Sequence, residues 1–126
     1  MSDTYQNYPT SSGDEIRLIF ACSGGADVGH LSDLAARQMM KEGCGKMFCL
    51  AGLGGMVDAI VETTRKADHI LAIDGCPVDC TKKTLENTGN NAFRHFRVTE
   101  LGFEKGKSPV DDKKVTKIAE HGKSLW

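Results

Sequence analysis

Three cysteines set the frame of this chain. Cys22, Cys49 and Cys76 stand at equal intervals of 27 residues. Each lies late in, or just past, a short apolar run: Ile16 to Cys22, Lys46 to Ala51 and His69 to Asp74. One strand and one crossing helix consume about that length, since a full βαβ unit needs roughly 30 residues or more. The spacing therefore confines the chain to alternating strands and helices, with the ends of successive parallel strands along one edge of a sheet.

The segments between the runs agree with helices. Asp27 to Glu42 carries Val28, Leu31, Leu34, Ala35 and Met39 at three-and-four spacing, with Gly43 as a stop. Met56 to Lys66 repeats the pattern with Met56, Val57, Ile60 and Val61. Pro77, read as a first helical position, opens a third helix that reaches about Gly89. Phe96 to Leu101 alternates as an edge strand does, and Pro109 to about His121 gives a last helix. The expected fold is α/β: a three-layer sandwich around a four-stranded, mainly parallel sheet of Rossmann or flavodoxin-like type, strand order 2-1-3-4 by analogy. Residues 1 to 14 lack apolar periodicity and read as a flexible tail, so residues 15 to 126 form a single domain.

Bulk properties narrow the function classes. A formal net charge of −1 supplies no basic field for nucleic acid or an anionic membrane. Arg94 and Arg97 are too few to make a nucleic-acid patch. No apolar run approaches the 18 or so residues that span a bilayer, and the polar amino terminus lacks a leader pattern, which predicts a cytoplasmic protein. In that reducing compartment five cysteines read as ligands or redox groups before structural disulfides.

Convergence of the strand ends brings Cys22, Cys49 and Cys76 to the carboxyl edge, and Cys80, one helical turn beyond Cys76, joins them. Four thiolates suit tetrahedral Zn²⁺ and equally an iron-sulfur cluster, and spacing does not choose between the two. Helix starts at the same edge favour thiolate through their free N–H groups. Asp74 opposes this unless its carboxylate binds backbone N–H groups or a water.

Asp74-Gly75-Cys76 with Cys80, together with Cys22-Ser23-Gly24 and Cys49-Leu50-Ala51-Gly52, resembles the DGC domain proteins of bacteria and archaea, described as candidate zinc binders. The resemblance runs from about Ile16 to Leu101. It implies Cys22, Cys49, Cys76 and Cys80 as the ligand set, leaves Cys44 outside it, and implies no physiological role.

The main expectation is a non-catalytic metal-binding module, its partners the metal ion and a protein that receives metal or electrons. The alternative is a thiol/disulfide enzyme with Cys76 as nucleophile and Cys80 resolving it, although CxxxC is not the familiar CxxC of such enzymes. Ser23, Gly24 and Gly25 form a candidate anion loop, but no glycine loop here has the GxGxxG pattern or a GK[ST] ending. His30 lies near the sulfur edge as a candidate ligand or proton carrier, whereas His95 and His121 read as surface residues.

Overall fold

The computed structural model describes residues 15 to 126, and the tail expected over residues 1 to 14 lies outside them. The elements run β1 (Arg17–Ala21), α1 (Asp27–Lys41), β2 (Lys46–Met47), α2 (Leu50–Gly54), α3 (Asp58–Lys66), β3 (His69–Asp74), α4 (Cys80–Asn87), β4 (Arg94–Arg97), a 3-10 turn (Val98–Leu101) and α5 (Asp112–Lys123). The sheet order is β2-β1-β3-β4, and every pairing is parallel. The expected α/β architecture and strand order are those observed.

Side-chain alternation along the two central strands builds a core on each face. Ile19 and Ala21 of β1, with Leu71 and Ile73 of β3, pack under Val28, Leu31, Ala35 and Met39 of α1 and Val115, Ile118 and Ala119 of α5. The alternate residues Leu18, Phe20, Ile70 and Ala72 face Leu53 of α2, Val61 of α3 and Leu85 of α4. The α1 crossover thus covers one face, and the α2 and α3 crossover covers the other. β2 and β3 consequently lie on opposite sides of β1, and the strand order reverses between β1 and β3.

Several boundaries differ from the sequence reading for physical reasons. Lys46 to Ala51 is not one strand: β2 ends at Met47, and Cys49 is already the N-cap of a short helix. Pro77 does not open α4. It follows Cys76 in a turn closed by the Asp79 N–H donating to the Cys76 carbonyl at 3.2 Å, and the helix begins at Cys80. Asp79, the residue before it, is left-handed at φ 60°. Cys76 and Cys80 therefore flank a turn and do not share a helix face. β4 begins two residues earlier than expected, and Val98 to Leu101 form the 3-10 turn. Leu125 and Trp126 pack back on the core, with Arg17 over the Trp126 ring at 5.6 Å. Among the described residues no helix is long and apolar enough to cross a membrane.

Candidate functional site at the sulfur edge

The strand order reverses between β1 and β3, and the carboxyl ends at such a reversal are where parallel α/β sheets place their ligands. Cys22 follows β1 and Cys76 follows β3. Their segments are knitted together by the Cys22 N–H, which donates to the Ile73 carbonyl at 2.9 Å. Cys80, the first residue of α4, arrives at the same place. Burial raises its thiol pKa above the ordinary value, and charge repulsion from Cys22, Asp74 and Cys76 adds to this. Three of the four expected sulfurs therefore share one neighbourhood, and Cys80 is its exposed member.

Cys49 stands on the far flank of β1. Its Sγ accepts the Gly52 N–H at 3.1 Å, the N-cap role that Ser or Asp usually fills. Beside it an open cleft of about 460 Å³ runs between Phe48, Leu50 and Ala51 on one wall and Ser23, Asp33 and Arg37 on the other. Cys44 lies away from this edge, half-buried against the core beneath α1, and burial pushes its thiol up. The loop Ser23-Gly24-Gly25 is exposed, and the Ser23 hydroxyl is committed to Asp33 at 2.8 Å. A carboxylate is thus the loop's immediate polar neighbour. His30 is exposed on the first turn of α1.

The carboxylate of Asp74 behaves as the sulfur site requires. It is 1% exposed, and it accepts the Thr81 N–H at 2.7 Å and the Lys82 N–H at 3.1 Å. These are two of the orphan donors at the start of α4. Asp79, at the N-cap position, makes no side-chain cap of its own, so Asp74 caps the helix from the neighbouring strand. His95 Nε2 lies 2.9 Å from the same carboxylate. Asp79 turns instead to Arg97, which grips it with Nε and Nη2, both at 2.7 Å. That guanidinium holds the Asp79 carboxyl below the usual carboxylate range.

Asp74, Asp79 and His95 also bring their potential ligand atoms within 4.8 Å of one another. Their oxygens are engaged by two backbone amides and a guanidinium, so the trio reads as a structural network. No group of three sulfurs is this tight among the described residues.

Two participants escaped the sequence reading. Lys105 Nζ lies 3.6 Å from Cys76 Sγ. Asp27, at the start of α1, accepts the Gly106 N–H and the Ser108 N–H, each at 2.9 Å. Neither has a local signal, because the partners are far apart in the chain. His95 and His121 are half-buried, not surface residues as expected, and His121 stacks edge-on to Phe96 with ring centroids 4.7 Å apart.

Hydrogen bonds from Gly106 and Ser108 hold the Asp27 carboxyl below its ordinary value. A depressed folded-state value means that the tether is fully present above the unfolded pKa of about 3.9 and is lost as pH falls through the lower folded one. Amide exchange should therefore show Gly106 and Ser108 protected at neutral pH and opening only below about pH 4. Asp27→Ala should expose both amides at every pH. Equal protection in the variant would show that the loop is held by something else.

The family model of the DGC domain matches residues 18–121. The chain is also similar to the anaerobic and virulence modulator AnvM of Pseudomonas aeruginosa, with 34% identity over 98 residues, 78% of this chain and 75% of the relative. No solved structure matches it.

Proposed function

The chain belongs to the DGC domain family, and on that premise we propose that its sulfur edge binds a thiophilic divalent metal ion, Zn²⁺ foremost, through Cys22, Cys76 and Cys80, with Cys49 as the fourth thiolate. The observation that carries this reading is topological: Cys22 and Cys76 follow the two strands that flank the reversal of strand order, and Cys80 opens α4 beside them. Donor chemistry supports it, since soft thiolates select Zn²⁺ or iron-sulfur centres over hard cations. Mutual repulsion among three thiolates is relieved when a cation stands between them. The opposing charge of Asp74 is taken up by backbone amides.

A site closed by four thiolates leaves no coordination position for a water, so the role we propose is holding or sensing metal rather than hydrolysis. The relative is named a modulator, and a regulatory role suits such a centre because oxidation of a thiolate ligand releases its metal. The receiver would be a protein partner in the cytoplasm.

The test is elemental analysis of protein purified without oxygen, with thiols counted before and after denaturation. About one zinc per chain, with about four thiols protected until unfolding, is the expected result. A chelator should then lower the melting temperature, and replacing any one of the four cysteines by serine should weaken retention. No metal, with five freely titrating thiols, would overturn the reading and favour the Cys76 and Cys80 redox pair.

A further inference from the structure

The segment between the 3-10 turn and α5 is fastened across the sulfur edge at both ends. At its entry the Thr99 N–H donates to the Gly75 carbonyl at 3.2 Å. At its exit Asp27 holds the Gly106 and Ser108 amides, and the Ser108 hydroxyl donates to the Glu104 carbonyl at 2.7 Å, closing a compact turn over residues 104 to 108. Ser108 is buried at 2% exposure, so the turn is packed down. Lys105 immediately precedes the first clamped amide, and its ammonium points at Cys76 Sγ at 3.6 Å.

Exposed lysines ordinarily spread over many rotamers, and fixing one costs side-chain entropy. Here the backbone on its carboxyl side is anchored to α1, so the direction of the side chain is largely set by the tether. A thiolate centre with three or four sulfurs around a divalent ion carries net negative charge, and an N⁺–H donor on a sulfur offsets part of it.

We propose that Lys105 is the outer-sphere cation of this site, a positioning residue that donates to the Cys76 sulfur, and that Asp27 is the clamp that holds it there. The inference rests on the metal reading above and adds a regulatory element to it. Affinity for the ion is set partly by a loop tied to α1, so whatever loosens that loop loosens the metal.

The experiment uses the full chain, with Zn²⁺ affinity measured by competition against a chromophoric chelator and Co²⁺ as a spectroscopic substitute. Lys105→Gln should weaken Zn²⁺ about threefold to tenfold, less than the loss at buried outer-shell partners because the ammonium is exposed. Losing the positive charge of the ammonium donor raises the energy of the sulfur lone pairs, so the sulfur-to-cobalt charge-transfer band should move to lower energy. Lys105→Arg should restore most of both quantities.

Asp27→Ala should reproduce the loss, and the double variant should be no worse than Lys105→Gln alone, because the two act through one contact. Cobalt binding with unchanged affinity and an unshifted band in Lys105→Gln would overturn this inference while leaving the metal reading intact. Additive losses in the double variant would overturn the clamp. A wild-type chain that binds neither ion would overturn the metal reading and this one with it.

Discussion

Asp74→Ala should lower the stability of the metal-free protein by about 3 kcal/mol or more, a fall of about 10 °C in melting temperature for a domain of this size. The estimate follows from what the carboxylate does. Two backbone N–H groups at the start of α4 lose their acceptor, a loss comparable to removing an N-cap, worth about 1 kcal/mol. His95 loses its closest carboxylate contact, and a polar void opens at a position that is 1% exposed.

Asp74→Asn should cost less, because its one carbonyl oxygen can still serve one of the two amides. Thermal unfolding in the presence of a chelator measures both, so that metal loss does not enter. A fall of under about 3 °C for the alanine variant would show that α4 is capped by solvent instead. The same substitution should weaken metal retention, since Asp74 fixes the helix end that carries Cys80. The first residue of the motif is thus a structural anchor standing next to the sulfur chemistry.

How much of this was legible in the sequence depended on the length and periodicity of each segment. β1, α1 and β3 are where the apolar patterns put them, because four or five buried residues in a row, or a stripe over four turns, leave little alternative. Lys46 to Ala51 was ambiguous for the opposite reason. A six-residue apolar run fits a strand or a buried helical turn, and the cue that decided, a thiol serving as a helix cap, has no familiar signature. Pro77 misled because both a first helical position and the second position of a turn want φ near −65°, so proline cannot tell them apart.

Equal cysteine intervals located the edge and the three strand ends. The intervals alone could not show that Cys49 lies on the other side of β1 from Cys76, which follows from the two crossovers covering opposite faces of the sheet. Charged contributors were invisible: Lys105 lies 29 residues from Cys76, and Asp27 lies 79 from Gly106. Such pairs leave no periodic trace. The condition attached to Asp74, that it find backbone donors, is met by Thr81 and Lys82.

Gly75→Ala should be as damaging as Asp74→Ala, by a different mechanism. A Cβ at this position would lie 2.8 Å from the Val28 carbonyl carbon, 2.9 Å from the Gly29 nitrogen and 3.0 Å from the Val28 oxygen. All three are backbone atoms in the first turn of α1, so no side chain can swing away. Either β3 or the start of α1 must move, and overpacking of this kind costs about 3 kcal/mol when relief requires backbone displacement. The requirement is for space alone, since the φ of Gly75 is not in the left-handed region.

Two other glycines grade the effect. A Cβ at Gly29 would meet the Gly24 nitrogen and oxygen at 3.0 Å, but these belong to an exposed loop that can yield, and alanine favours the helix by about 1 kcal/mol. Gly29→Ala should therefore cost roughly 1 kcal/mol or less. Gly25 has nothing within 4 Å of a would-be Cβ, and its replacement should fall within about 0.5 kcal/mol of wild type.

Denaturant unfolding of the three metal-free variants should return that order, Gly75 far worse than Gly29, and Gly29 no better than Gly25. If Gly75→Ala proved as mild as Gly25→Ala, the close approach of α1 to the end of β3 would not be what the glycine serves. The expected order ties the motif together. Asp74 caps α4, Gly75 lets the amino end of α1 reach the strand end, and Cys76 follows them in the chain with the Lys105 ammonium at its sulfur.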